Sequence, residues 1–360
     1  MTDRFAIVMA GGSGTRFWPA SRAARPKQFL ALGSDAETLL QATVARAARA
    51  VGRDQVLVVT SARHGDATRE QLPDLPQANI LLEPAGRNTA PCIAWAAAHV
   101  RRRAPQGLIA VLPADPHIGD EDAFAAVLGR ALDAAAAGSI VTVGIEPSRP
   151  ETGYGYVDVG DAVDVGVPDV HRVRRFEEKP DQATADRYVA SGHHLWNSGM
   201  FFFRADVILA EIARHMPELG EFVADCDRAA ATDRELAFVE GRYGQLPKVS
   251  IDYGVMERAE DILVLPGAFG WDDIGSWSAA WALAAKDGDG NASAGAEALP
   301  IDSRGCYVSA PEGKLVALVG VEDLVVVDTP DALLVMPRSR AQDVRKVVDA
   351  LREDDRLEHL

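Results

Sequence analysis

Four short apolar runs punctuate the first part of the chain: RFAIVMA (4–10), QVLVVTS (55–61), GLIAVLPAD (107–115) and SIVTVGI (139–145). Between them lie TLLQATVARAARAVG (38–52), APCIAWAAAHVRRRA (90–104) and AFAAVLGRALDAAAAG (123–138), with apolar residues at helical spacing. Continuous apolar runs of this length read as strands buried on both faces, and the intervening segments read as crossover helices. Alternation at this spacing predicts an α/β fold, a mostly parallel sheet covered by helices on both sides.

After Pro147 the pattern becomes mixed. RPETGYGYVDVG and VHRVRRFEEKP read as strands around turns, DQATADRYVASG as a helix and WNSGMFFFR as a strand. A helical stretch runs from Ala205 to about Val239. SIDYGVMERA opens another helix, ILVLPG is a strand and IGSWSAAWALAA a closing helix. KDGDGNASAGAEALP is polar and glycine-rich, and marks a boundary between a large domain, 1–287, and a small one, 288–360. In the small domain CYVSA, KLVALVGV, DLVVVDTPD and ALLVMP are rung-like β runs, and SRAQDVRKVVDALRED is an amphipathic helix.

The composition narrows the function. A net charge of −16 over 360 residues argues against general nucleic-acid binding. No apolar run approaches the roughly 18 residues of a membrane span, and the N-terminus lacks the shape of a secretory signal. The three cysteines, Cys92, Cys226 and Cys306, have no metal spacing, and a reduced cytoplasmic setting is expected.

Against this acidic background, MAGGSGTRFWPASRAARPKQFL (9–30) carries four basic residues and no acid. A strand opening into Gly11, Gly12 and Gly14 lets backbone N–H groups crowd around a phosphate. The P-loop pattern is absent, and Phe17 stands where a dinucleotide fingerprint needs its third glycine. Arg16, Arg22, Arg25 and Lys27 add cationic heads that could hold a triphosphate or a departing pyrophosphate.

The whole string resembles the signature of the sugar-1-phosphate nucleotidyltransferases, G-G-x-G-x-R followed by P-K. Its FWP and PKQF wording is similar to the mannose-1-phosphate guanylyltransferases. EPAGRNTAPCIA, LPADPHI, GYGYV, FEEKP, WNSGMFFF, SIDYGVME and GWDDIGSW follow in the same order as in that family. The resemblance implies a Rossmann-like mixed sheet with a small C-terminal β-helix-like unit. It also implies transfer of GMP from GTP to mannose 1-phosphate, with Mg²⁺ as cofactor. The sugar phosphate is already an anion, so the demand is for cations, a metal and a rigid cradle rather than a catalytic base.

Residue by residue, the resemblance implies that Arg16 and Lys27 face the triphosphate, with Ala10, Gly11, Gly12, Gly14 and Thr15 lining the nucleotide. Arg22 and Arg25 are open between phosphate binding and structural pairing. Asp115 and Asp273 would hold the metal, Asp272 being the variable neighbour. Arg87, Asn88 and Thr89 are nucleotide candidates, although Asn88 or Thr89 also suits a helix cap. Guanine needs an acceptor, either Glu83 or a backbone carbonyl. Glu178 and Asn197 would take sugar hydroxyls, Lys179 the sugar phosphate, and Gly155 would let the backbone approach the sugar. Longer relatives carry a cupin isomerase domain, so transferase activity alone is expected here. The β rungs either dock on the large domain or form a homodimer interface. The competing readings are a transferase of another sugar or base, a non-catalytic nucleotide-sugar regulator, and a glycosyltransferase, whose Asp-x-Asp signature is missing from the strand ends of the first half.

Overall fold

Hydrogen bonding sorts the chain into one large sheet and several small ones. This computed structural model describes residues 3–12, 14–32 and 37–360. By contacts these form two compact units. One comprises Met1–Gly11, Thr43–Ala114 and Ile118–Trp271; the other comprises Gly12–Ala42, Asp115–His117 and Asp272–Leu360. The grouping cuts across chain order, because the glycine-rich signature segment belongs with the C-terminal residues.

In the first unit the strands are β1 (Arg4–Ala10), β2 (Val56–Ser61), β3 (Ile80–Glu83), β4 (Leu108–Pro113), the two-residue β5 (His117–Ile118), β6 (Ile140–Ile145), β7 (Gly155–Ala162), β8 (His171–Glu178), β9 (His194–Arg204) and β10 (Ile262–Gly267). Among the described residues, nine of them form one sheet in the order β3-β2-β1-β4-β9-β6-β10-β8-β7. Strands β1 to β4 are mutually parallel, as is the pair β6 and β10. β9 enters antiparallel between β4 and β6. This is the mixed, mostly parallel sheet expected of the alternating pattern. β1 lies between β2 and β4, so the strand order reverses there, and ligands of open α/β sheets gather beyond the carboxyl ends of strands at such a point. β1 runs on into Gly11, and β4 runs on through Ala114 into Asp115.

The helices of this unit are α1 (Leu39–Val51), α2 (Gly65–Gln71), α3 (Thr89–Arg103), α4 (Glu121–Ala135), α5 (Gln182–Ser191), α6 (Ala205–His215), α7 (Pro217–Ala230) and α8 (Glu235–Arg242). α3, α6 and α7 share one core with the strands, through Ile93, Trp95, Ile208, Ile212, Leu219 and Phe222. α2 has no counterpart in the sequence reading, because GDATREQ is short and polar and starts on glycine. The helix expected of SIDYGVMERA is instead a five-residue π-helical turn, Asp252–Met256, in which the Glu257 N–H reaches the Asp252 carbonyl, 2.9 Å. The turn opens with an ordinary helical bond, Gly254 N–H to the Ser250 carbonyl at 2.9 Å, while the Ile251 N–H is held by Thr89 Oγ1 and the Val249 carbonyl by the Ala90 N–H.

The second unit packs the signature segment into its own core. Phe17, Trp18, Leu30 and Leu32 lie against Ile274, Trp277, Tyr307, Val325 and the final helix. The two-residue β11 (Trp271–Asp272) and α9 (Trp277–Leu283) precede the rungs β12 (Ala292–Ala294), β13 (Glu297–Ile301), β14 (Tyr307–Ser309), β15 (Leu315–Val319), β16 (Leu324–Asp328) and β17 (Leu333–Pro337). β12, β14, β16 and β17 make one sheet, β13 and β15 another, and the pairings are parallel except for β16 with β17. Alternate strands feeding two sheets give the β-helix-like winding. The stretch KDGDGNASAGAEALP already contains β12 and most of β13. Its turn is closed by the Asp287 carboxylate, which accepts from the Asp289 and Asn291 N–H groups. α10 (Val344–Glu353) buries Val344, Val348 and Leu351, spaced four and three residues apart along one helix face.

Candidate active site

Within the second unit, Lys27 is the centre of a charged cluster. Its ammonium donates to Asp115 Oδ2 at 2.9 Å and to the backbone carbonyl of Asp273 at 2.5 Å, and the side chain is buried. Lys27 is placed by a short 3-10 turn after Pro26. Gly14 permits the approach: its φ is +55°, and a Cβ there would lie 2.9 Å from the Lys27 nitrogen. A Cβ on Gly275 would meet Arg16 Nη1 at 3.2 Å and Asp273 Oδ2 at 3.5 Å, so guanidinium and carboxylate flank the same glycine. Burial pushes the Asp273 carboxyl up to about 6; Lys27 and Arg16 pull it down, and the charge of Asp115 adds to the rise. Asp272 is spent locally, accepting the Ile274 N–H at 2.7 Å.

The structure thus joins Arg16, Lys27, Asp115 and Asp273, residues from three distant stretches of chain. Arg22 stands apart. It forms a paired contact with both Asp331 oxygens at 3.0 Å, and its guanidinium lies over the Trp18 ring. Arg25 is exposed. Gly11 and Gly12 are exposed, Thr15 begins a 3-10 turn, and Ser13 lies outside the described residues. Ala10 ends β1 with no exposed surface, its carbonyl accepting from Thr60 Oγ1 at 3.0 Å.

Two carboxylates beside two cations are a hard-oxygen donor set. Such a set suits a divalent cation that completes its shell with phosphate oxygens and water. Among the described residues no cluster of three or more His, Cys, Asp or Glu side chains forms a metal cage.

A second constellation lies within the first unit. Gly155 on β7 is paired with Glu178 on β8, and β9 carries Asn197. A Cβ on Gly155 would stand 2.5 Å from Glu178 Oε2, 3.3 Å from Asn197 Cβ and 3.6 Å from its Nδ2. Asn197 is buried, its Oδ1 accepting from the Gly199 N–H at 3.1 Å and facing Thr142 Oγ1 at 3.2 Å. Lys179 sits in the left-handed region, φ +51°, with its ammonium on the Glu178 carboxylate. Burial lowers the affinity of Lys179 for its proton, but contact with Glu178 outweighs this and holds its pKa above the usual lysine value. The Tyr154 ring packs edge-on against both Trp196 and Trp271.

The remaining nucleotide candidates surround the start of α3. Glu83, at the end of β3, is buried and accepts the Tyr243 hydroxyl at 2.5 Å. Burial raises its carboxyl to about 6, against the lowering effect of that hydrogen bond. Asn88 is the helix cap, φ +67°, and its Oδ1 takes the Thr89 N–H at 2.9 Å. The Thr89 hydroxyl accepts from Ile251. Arg87 Nε is buried without a hydrogen-bond partner among the described residues. Tyr243 and Asp252 were not singled out by sequence reasoning. For Asp252 the signal was present in SIDYGVME, whereas Tyr243 lies in a helical stretch with no local mark.

This fold and these clusters have known counterparts. Residues 5–290 match the nucleotidyl transferase family, and residues 296–351 match the mannose-phosphate isomerase/GMP-like β-helix domain. The chain belongs to the nucleotidyl transferase family, whose chemistry employs a divalent metal. It is 45% identical over 365 residues to the mannose-1-phosphate guanylyltransferase of Escherichia coli K12, covering 99% of this chain and 75% of that protein. It is 44% identical over 367 residues to mannose-1-phosphate guanylyltransferase ManC of Salmonella typhimurium, with the same coverage. A crystal structure from Thermus thermophilus, described as a mannose-1-phosphate geranyltransferase, superposes with a TM-score of 0.87. It shares 38% identity and covers 97% of this chain and 99% of its own. No helix among the described residues is long and apolar enough to cross a membrane.

Proposed function

We propose that this chain transfers GMP from GTP to α-D-mannose 1-phosphate, giving GDP-mannose and pyrophosphate. A phosphate oxygen of the sugar phosphate attacks the α-phosphorus of GTP in line, the bond from that phosphorus to the bridging oxygen breaks, and pyrophosphate leaves with the bond electrons. The observation that carries this reading is the contact of Lys27 with both Asp115 and the Asp273 backbone, beside Arg16. Asp115 and Asp273 would hold Mg²⁺, which when bound neutralises phosphate oxygens. Arg16 and Lys27 would bind the triphosphate and offset the charge that builds on the leaving group. The main chain at Gly11, Gly12, Gly14 and Thr15 would cradle phosphate.

Glu178 and Asn197 would hold sugar hydroxyls over Gly155, with Lys179 on the sugar phosphate. Arg87, Asn88 and Thr89 would lie along the nucleotide. Of the two acceptors open for guanine, the Glu83 carboxylate already receives the Tyr243 hydroxyl. This favours a backbone carbonyl of the 84–88 turn. In this reading residues 1–287 supply the chemistry and 288–360 a supporting β unit. The enzyme would work in the cytoplasm, where the free thiols of Cys92, Cys226 and Cys306 stay reduced.

The chain is further proposed to form a homodimer. In the β13–β15 pair, Leu299 stands opposite Ala317 and Ile301 opposite Val319. Leu299, Ile301, Leu315 and Val319 are all exposed, an apolar face suited to a second copy of itself.

The test of the reaction is a panel of the four common nucleoside triphosphates against mannose, glucose, galactose and N-acetylglucosamine 1-phosphates, read by pyrophosphate release. GTP with mannose 1-phosphate is expected to give the highest kcat/KM. A clear preference for any other pair overturns the assignment.

A further inference from the structure

Asp252 opens the π-helical turn, and its carboxylate is turned inward. Its Oδ1 accepts from Asn197 Nδ2 at 3.1 Å. Among the described residues no lysine, arginine or histidine forms an ion pair with it. Burial, reinforced by the charge of Glu178, raises its carboxyl to about 6, while Lys179 and the Asn197 contact act the other way. A half-buried carboxylate without an ionic partner costs stability, so its place beside Asn197 calls for another explanation.

The amide of Asn197 supplies one. Its oxygen is turned toward Gly199 and Thr142, and one of its N–H bonds is taken by Asp252. A flipped amide would set that oxygen against two carboxylates, Asp252 and its neighbour Glu178. Asp252, together with the Gly199 N–H at the opposite end, therefore fixes which end of the amide faces Glu178. Nδ2 has a second N–H, and both Nδ2 and Glu178 Oε2 border the point that a Cβ on Gly155 would occupy. A donor and an acceptor thus flank one small space that only glycine leaves open. A hydroxyl, which donates one hydrogen bond and accepts others, suits that pair.

We propose that Asp252 is a positioning residue of the sugar subsite, locking the Asn197 amide so that Asn197 donates to, and Glu178 accepts from, a hydroxyl of the sugar phosphate. This rests on the sugar-phosphate reading above. Asp252 acts through Asn197 rather than on the reacting atoms.

The test is steady-state kinetics of Asp252→Ala and Asp252→Asn in the full chain, with GTP and the sugar phosphate varied separately and thermal midpoints measured alongside. Asp252→Ala is expected to raise the KM for mannose 1-phosphate about tenfold or more, the scale of one charge-assisted hydrogen bond, and to leave the KM for GTP within about twofold. Asp252→Asn keeps an oxygen for the Asn197 N–H and is expected to recover most of the loss. If the alanine chain fails to fold, Asp252→Leu fills the volume and carries the same expectation. An unchanged sugar-phosphate KM, or equal rises for both substrates, overturns the proposal. If the wild-type chain prefers a different sugar phosphate, the functional reading fails, and the same split of KM values measured with that sugar still decides the role of Asp252.

Discussion

Lys27 donates to the carboxylate of Asp115 and to the backbone carbonyl of Asp273, partners 88 and 246 residues away along the chain. One buried ammonium thereby ties the segment after β1 to the segment after β4 and to the loop before α9. Replacing it by an isosteric apolar side chain leaves both acidic residues without their shared cation. Lys27→Met is expected to lower pyrophosphate release at least a hundredfold. It should also lower unfolding free energy by about 1–3 kcal/mol, less than a fully buried pair would lose because Asp115 is partly exposed. Urea unfolding beside the activity assay checks both.

Asp115→Asn and Asp273→Asn test the metal assignment. Each keeps shape and removes charge, so the fold should survive while Mg²⁺-dependent pyrophosphate release drops by about a hundredfold or more. Circular dichroism verifies the fold. An unchanged rate in both variants would remove the metal from these residues.

Gly155→Ala places a methyl 2.5 Å from Glu178 Oε2. The carboxylate must move, and the space shared with Asn197 closes. The KM for the sugar phosphate is expected to rise about tenfold or more, with little change in the KM for GTP, when each substrate is varied in turn.

The buried Glu83 carboxyl gives a pH signature. The folded chain holds this proton up to about 6, whereas the unfolded chain releases it near the ordinary glutamate value of 4.5. Between those values the folded state binds more proton, so this group's contribution falls as pH rises through the window. The loss is complete above the folded value, and its upper limit is about 2 kcal/mol. Glu83→Gln is expected to flatten that part of the stability profile relative to wild type, as read by denaturant unfolding at pH 4.5, 5.5 and 6.5.

The apolar face of β13 and β15 makes an assembly prediction. Leu299→Glu with Leu315→Glu puts charge on exposed positions without touching the core. Sedimentation velocity at micromolar concentration is expected to show a dimer for wild type and a monomer for the double variant. A monomeric wild type removes the homodimer.

Local chemistry made much of the architecture readable. Apolar runs broken by glycine mark the strands of the large sheet, because a strand buried on both faces has no polar residue to spare. Asn88, one of the two cap candidates, caps α3 through its side-chain oxygen, a short-range contact visible in sequence. The order of the charged motifs was equally legible. The π-helical turn was not: it opens with the ordinary Gly254 to Ser250 bond, and the wider Glu257 to Asp252 bond leaves no mark in the residue pattern.

The amino-acid order by itself determined the alternating α/β pattern, the rung-like tail and the order of the charged motifs that carry Arg16, Lys27, Asp115, Lys179 and Asp273. Only the tertiary structure decided that the glycine-rich segment shares a core with α9 and α10, that Arg22 is spent on Asp331, and that Glu83 lies under Tyr243. The reason is physical. Helices, strands and caps arise from groups a few residues apart, whereas the burial and pairing of a charge depend on partners brought in from tens to hundreds of residues away.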